Sequence, residues 1–127
     1  MEYLLDTHAF LWFISGDSEL SDKAKSHILN PEITKYISTA SFWEIAIKVS
    51  LKKLALDMPF NELKDHVFQN GFTILPITFE HTANLLQLEQ HHKDPFDRLI
   101  IAQALTDQLA IISRDSQFSK YNVHLIW

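Results

Sequence analysis

Apolar and polar residues follow two different patterns along this chain, one typical of strands and the other of helices. Short apolar runs that stop abruptly at a polar residue, as at residues 3–5, are typical of buried strands. Longer stretches repeat apolar residues at helical spacing, as at Phe42, Ile45, Ala46 and Val49. The pattern predicts strands at 3–5, 36–38, 73–77, 110–113 and 123–126, and helices at 8–14, 22–29, 40–51, 60–70, 79–90 and 95–108.

Strands that alternate with helices predict an α/β fold. We expect a single domain over residues 1–127, with a mostly parallel central sheet of about five short strands and helices on both faces. The helix limits carry recognisable signals: Ser21 as an N-cap, Gly71 just past a helix end, and Asp94-Pro95 at a helix start.

The composition limits the number of domains and the cellular compartment that we expect. The chain has 127 residues, 46% of them hydrophobic, which suits one ordered domain with a core of its own. It has no cysteine, so disulfides and thiolate metal sites are excluded and a reducing compartment is the natural one. Glu2 stands where a signal peptide carries positive charge, and no apolar run approaches the ~20 residues of a membrane span. These features predict a cytoplasmic protein with no membrane partner.

Four acidic residues, Asp6, Glu44, Asp97 and Asp115, lie at or just past the predicted junctions between strands and helices. The carboxyl ends of parallel strands share one edge of a sheet, so we expect all four carboxylates to meet there. Acids so close to apolar runs lose hydration when the chain folds, and acids that meet also repel one another. A bound cation offsets both costs. Oxygen ligands favour Mg²⁺ or Mn²⁺ over zinc, and such ions promote phosphodiester hydrolysis.

The formal charge of −5 argues at first against a nucleic-acid partner. Setting the four acids aside leaves −1, because each carboxylate contributes one unit. Lys48, Lys52 and Lys53 form a small basic group after Glu44, for which we favour a solvated helix end over a phosphate-binding role.

Each acid also has a purely structural interpretation. Glu44 completes a Ser41-x-x-Glu44 capping box, Asp97 is favourable in a first helical turn, and Asp115 could shape a turn. Only Asp6 has no evident cap or turn role, and four coincident structural roles are improbable. For Asp94, by contrast, we favour the N-cap role.

The remaining polar and aromatic candidates are weaker. We favour a solvated loop for His91-His92 over metal or phosphate binding, and His8 is a candidate for holding its loop or contacting RNA. For the aromatic residues of the first and third helices we favour core or interface positions over base stacking: Phe10, Trp12, Phe13, Phe42 and Trp43.

Five segments in this order resemble the PIN-domain ribonucleases, and among them most closely the VapC-type toxins of toxin–antitoxin pairs. They are LLDTHAFLW, SFWEIAIK, GFTILPI, HHKDPFDRLIIAQAL and ISRDSQFSKYNVHLIW. The opening LLDTH and the DPFDRLIIAQA segment are specific together, and the resemblance spans essentially the whole chain.

The resemblance implies a role for each acid. Asp6, Glu44, Asp97 and Asp115 match the first to fourth acids of the family motif, which hold Mg²⁺ or Mn²⁺ and the attacking water. Thr7 and Ser113 match small hydroxyl positions that line such sites. We therefore expect a metal-dependent endoribonuclease acting as a toxin, with Asp6 and Asp97 as the main metal ligands.

The resemblance also implies partners. We expect an RNA substrate, a homodimer, and a cognate antitoxin whose C-terminal segment packs in a groove and directs a basic side chain at the acids. The aromatic residues at 10–13 and 42–43 are the expected contact. One departure stands out: related sequences commonly have glycine where this chain has Lys52, so we expect the local backbone to differ.

Three alternatives stay open at this point. A phosphatase with an aspartyl nucleophile usually carries a second Asp two residues on, where this chain has His8. A PIN-like module without catalysis would not need the full set of acids. A PIN nuclease that processes RNA without an antitoxin has the same sequence features as a toxin.

Overall fold

Parallel pairing of five short strands organises the protein. The strands of the computed structural model, which describes residues 1–127, are β1 (Tyr3–Leu5), β2 (Lys35–Ser38), β3 (Phe72–Leu75), β4 (Ala110–Ile112) and β5 (Leu125–Ile126). They form one sheet in the order β3-β2-β1-β4-β5. Every neighbouring pair is parallel, so all the carboxyl ends lie along one edge.

Six helices connect and cover the strands. They are α1 (Thr7–Ser15), α2 (Asp22–Ile28), α3 (Thr39–Ser50), α4 (Glu62–Gln69), α5 (Phe79–Leu85) and α6 (Pro95–Asp107), with a 3₁₀ turn at Ser116–Lys120. The predicted α/β class is confirmed. None of the helices is both long and apolar enough to cross a membrane.

A hydrophobic core lies on each face of the sheet. Because successive strand residues point to opposite faces, Leu5 and Ile112 enter one core while Leu4 and Ile111 enter the other. Phe10 of α1 packs in the first core, together with residues from α2, α3 and α4. The second core contains side chains of α6 and of the 3₁₀ turn, so the expected helices on both faces are confirmed.

The strand order fixes where a ligand site belongs. The chain first builds outward from β1 through β2 to β3, and then returns to the other side of β1 with β4 and β5. A crevice opens at the carboxyl ends where the order reverses. Asp6 directly follows β1, and Asp115 follows β4 with two residues between.

Several predicted limits shift by a few residues, and two shifts have a clear cause. Helix α3 begins one residue early, because the side chain of Ser38 caps it by accepting from the Ala40 N–H. Helix α5 ends at Leu85, well short of the predicted residue 90. There the N–H groups of Leu86, Gln87 and Leu88 donate to carbonyls three residues back, which tightens the chain out of the α-helix.

The turn after α3 passes through the left-handed region at Lys52, whose φ is 57°. A residue with a Cβ atom is disfavoured there by about 1–2 kcal/mol, whereas glycine adopts this conformation readily. The lysine thus adopts the conformation that a glycine at this position would favour.

We predict that Lys52→Gly raises the free energy of unfolding by about 0.5–1 kcal/mol, because it removes this backbone strain. Urea denaturation measures the change. Lys53→Gly is the matched control: it removes the same charge at a residue without positive φ, and should destabilise by about 0.5–1 kcal/mol. Equal shifts for the two variants would contradict the assignment of strain to Lys52.

Candidate metal centre

Asp6 is buried at the junction of β1 and α1, with 7% of its surface exposed. The expectation that Asp6 has no capping role is wrong, because it is the N-cap of α1: its Oδ1 accepts from the Ala9 N–H at 2.7 Å. Its Oδ2 accepts from the hydroxyl of Ser113, which follows β4. Burial raises the pKa of Asp6, and these two hydrogen bonds oppose the shift by stabilising the carboxylate. Both oxygens are therefore fixed before any ligand arrives.

Glu44 lies in the second turn of α3 and is 2% exposed. Its Oε1 accepts from the Thr7 hydroxyl at 2.7 Å, and its Oε2 binds the Lys48 ammonium at 2.7 Å. The capping-box interpretation is wrong, because Ser38 caps this helix three residues before Ser41. Glu44 is instead a buried carboxylate aimed at the end of β1.

Lys48 also differs from its prediction as part of a solvated helix end. Its hydrogen bond to Glu44 raises the pKa of the ammonium group, and the negative charges of Asp94 and Asp97 add to the shift. The side chain therefore neutralises part of the acidic site. Lys52 lies beyond the last residue of α3, so it shares no helical face with Lys48.

Asp97 lies in the first turn of α6, whose N-cap is Asp94 as predicted. The Asp94 carboxylate accepts from the N–H groups of Phe96 and Asp97 at 2.8 and 3.2 Å. Burial raises the pKa of Asp97 to about 8, with further contributions from the charges of Asp94, Asp6, Glu44 and Asp115. Acids from four separate segments therefore act on one carboxyl group.

His92, for which the sequence favoured a solvated loop, bridges Asp115 and Asp97. His92 Nε2 lies 2.9 Å from Asp115 Oδ2 and 3.1 Å from Asp97 Oδ2. Only 11% of the His92 side chain is exposed, so that interpretation is wrong for this residue. Neighbouring His91 lies nearer the surface, beside Glu89.

The tautomer of His92 follows from its other ring nitrogen. Nδ1 lies 3.2 Å from the backbone N–H of Asp94 and accepts from it, so in the neutral ring the proton is on Nε2. Nε2–H then donates to the two carboxylates. The position of a histidine just before an Asp-Pro helix start was the available signal, but a sequence does not show that the loop folds back onto the strand edge.

Two hydroxyl groups connect these acids. Ser113 donates to Asp6 and accepts from the Asp115 N–H at 3.0 Å, while Thr7 joins the segment after β1 to Glu44. The structure brings all four predicted acids to one edge. Within it, ligand atoms of His92, Asp97 and Asp115 lie within 4.8 Å of one another, and Asp6 and Glu44 lie outside that tight group.

The donor set suits a hard divalent cation. It consists of carboxylate oxygens with one imidazole nitrogen nearby and no sulfur. Burial, with the charges of neighbouring acids, raises the pKa values of Asp6 and Asp97, so their charged forms are disfavoured here and a bound cation would stabilise them. A cation between Asp97 and Asp115 would compete with the Nε2–H of His92 for the same oxygens.

Comparison with known proteins identifies the family. The family model described as the PIN domain matches residues 3–123. The chain belongs to the PIN domain family. The sequence comparison with curated proteins gave no match.

Solved structures share the PIN fold at low sequence identity. VapBC2 from Rickettsia felis bound to a promoter DNA fragment has a TM-score of 0.73 at 19% identity, covering 98% of this chain and 97% of that one. FitAcB from Neisseria gonorrhoeae has a TM-score of 0.64 at 24% identity, covering 97% and 95%. A toxin–antitoxin complex from Klebsiella pneumoniae has a TM-score of 0.64 at 17% identity, covering 99% and 97%.

The raised pKa of Asp97 predicts how stability depends on pH. The folded PIN domain keeps a proton on Asp97 up to about pH 8, whereas the unfolded chain releases it near pH 4. Between these values the unfolded state binds fewer protons, so stability falls as pH rises. Asp97→Asn should weaken this dependence, to which Asp6 also contributes. It should raise the free energy of unfolding at pH 8 by a few kcal/mol, since a change of one in pKa corresponds to about 1.4 kcal/mol.

Denaturation in urea at pH 5 and pH 8 without divalent cations measures this effect. Asp65→Asn, which changes an exposed acid on α4, is the matched control and should behave like the wild type. A wild-type protein that is as stable at pH 8 as at pH 5 would contradict the electrostatic account of the site.

Proposed function

We propose that this PIN domain is an endoribonuclease that depends on Mg²⁺ or Mn²⁺ and hydrolyses RNA phosphodiester bonds. The proposal rests on the convergence of Asp6, Glu44, Asp97 and Asp115 from separate parts of the chain at the carboxyl edge of the sheet. PIN domains are generally nucleases, and the chemistry of the site agrees with that activity.

In this proposal each acid has a distinct task. Asp6 and Asp97 are the main metal ligands. Glu44, held by Thr7 and Lys48, completes the coordination or orients the attacking water, and Asp115 holds a second ion or a water. When bound, the divalent cation polarises the phosphate and lowers the pKa of a water. His92 holds Asp97 and Asp115 in place through its Nε2–H.

We further propose that the protein is a homodimeric, cytoplasmic toxin of a toxin–antitoxin pair with a cognate antitoxin. The support comes from structural neighbours that are themselves toxin–antitoxin complexes, such as the one from Klebsiella pneumoniae. The accessible aromatic contacts for an antitoxin are Trp12, which lines a groove between α1 and residues 54–58, and Trp43, which is 60% exposed. Phe10 is fully buried in the core and contributes no such contact.

Cleavage of total RNA by the purified protein tests the proposal. We expect cleavage with Mn²⁺ or Mg²⁺ and none with EDTA. Asp6→Asn should abolish cleavage and leave the fold intact, because an amide oxygen can still cap Ala9 while one ligand charge is lost. Asp65→Asn again serves as the control and should cleave normally. An active Asp6→Asn protein, or cleavage that survives EDTA, would contradict the mechanism.

Metal binding should also release protons. Asp97 must lose its proton to become a ligand, and its pKa of about 8 means that it holds this proton at neutral pH. The affinity for Mn²⁺ should therefore rise as pH increases from 6 to 8. Calorimetry in buffers of different ionisation enthalpy measures the proton release directly, and a pH-independent affinity without proton release would count against Asp97 as a ligand.

A further inference from the structure

A second group of side chains borders the acids on the α1 side. An open cavity of about 380 Å³ is lined by Asp6 and Asp115 together with His8, Trp12 and Arg114. That volume lies in the range of about 300–1,000 Å³ of small-ligand sites. The proposed hydrolysis assigns tasks to the two acids and none to the other three residues.

The three remaining side chains pack together, with Arg114 over the Trp12 ring and His8 tilted against it. The guanidinium carbon of Arg114 lies 4.6 Å from the centroid of the Trp12 ring, and the His8 ring centroid lies 5.7 Å from it at an interplanar angle of 42°. His8 is two residues past Asp6, and Arg114 directly precedes Asp115. The same two segments therefore carry the acids and these three side chains, which fixes the distance between the two groups.

Arg114 is the guanidinium group that can exchange its present partner for a ligand here. The other arginine of the chain, Arg98, donates to the backbone carbonyls of Glu89 and His92. Arg114 pairs only with Glu19, and both side chains are about half exposed. An exposed ion pair contributes about 0–1 kcal/mol, so a phosphate can displace Glu19 from the guanidinium fork.

We propose that His8, Trp12 and Arg114 form a nucleotide subsite for single-stranded RNA beside the cleavage position. A base stacks on Trp12 and His8, and Arg114 binds an adjacent phosphate. Proteins bind single-stranded nucleic acids by stacking bases on aromatic rings and by placing cations against the phosphates, and arginine suits the phosphate contact. The protein carries a net charge of −5, so a phosphate needs such a local cation. This inference rests on the proposed ribonuclease function and names its substrate contacts.

Binding of a short fluorescein-labelled single-stranded RNA of mixed sequence, followed by anisotropy in EDTA, tests the subsite without cleavage. Arg114→Gln should weaken binding about tenfold, since a charged hydrogen bond contributes about 1.5–3 kcal/mol. Trp12→Leu should weaken it about tenfold and Trp12→Phe much less, since phenylalanine keeps an aromatic face. Glu19→Gln should strengthen binding severalfold because it frees Arg114.

Two readouts separate substrate contact from a structural role. Arg114→Gln should lower the slope of log K against log salt by about 0.7, as expected for one lost phosphate contact. In cleavage assays with Mn²⁺, KM should rise while kcat changes little, because the acids are untouched. Lys64→Gln on α4, beside β3 at the far edge of the sheet, is the charge-matched control and should bind like the wild type.

The subsite would be overturned if Arg114→Gln and Trp12→Leu both bound RNA with wild-type affinity and Arg114→Gln kept the wild-type salt slope. The cavity would then be a candidate site for a protein partner instead. Equal losses in Trp12→Phe and Trp12→Leu would overturn base stacking. The proposed function fails separately, if the wild-type protein cleaves no RNA with Mn²⁺ even though the binding results follow the pattern above.

Discussion

Mutual repulsion among buried carboxylates is the constraint around which this PIN domain is built. Two carboxylates ~5 Å apart repel by about 3 kcal/mol at an effective dielectric constant of ~20. Several acids meet at one edge of the sheet; burial raises the pKa values of Asp6 and Asp97, and the charges of neighbouring acids raise them further. Only a rigid framework can keep such groups together in the absence of a cation.

The backbone and short side chains supply that framework. Asp6 and Asp94 accept hydrogen bonds from backbone N–H groups at helix N-termini, and Asp115 accepts from the Gln117 N–H of the 3₁₀ turn after β4. Two hydroxyls, Thr7 and Ser113, hold the acids of different segments in register. These groups favour the charged form of the acids they touch, which offsets part of the repulsion without filling the site. The same arrangement leaves oxygen atoms available to a divalent cation.

The alternation of strands and helices was enough to predict the α/β fold, because parallel strands must be covered on both faces. Placing the acids after β1 and β4 needed only the rule that carboxyl ends share an edge. Three features of the site were not accessible in this way. The role of His92 depends on how a loop folds back, and that of Lys48 on which side of α3 faces the acids. The cap of α3 is Ser38, three residues before the Ser41 that the capping-box pattern indicated.

The proposed mechanism requires Asp6 and Asp97 to hold one divalent cation at the end of β1. Anomalous diffraction from crystals grown with Mn²⁺ tests it most directly, because manganese is located independently of any assay. The account predicts an anomalous peak within coordination distance of Asp6 and Asp97, which Asp6→Asn removes. An anomalous peak only elsewhere on the molecule, or an unchanged peak in Asp6→Asn, would contradict this assignment of the metal ligands.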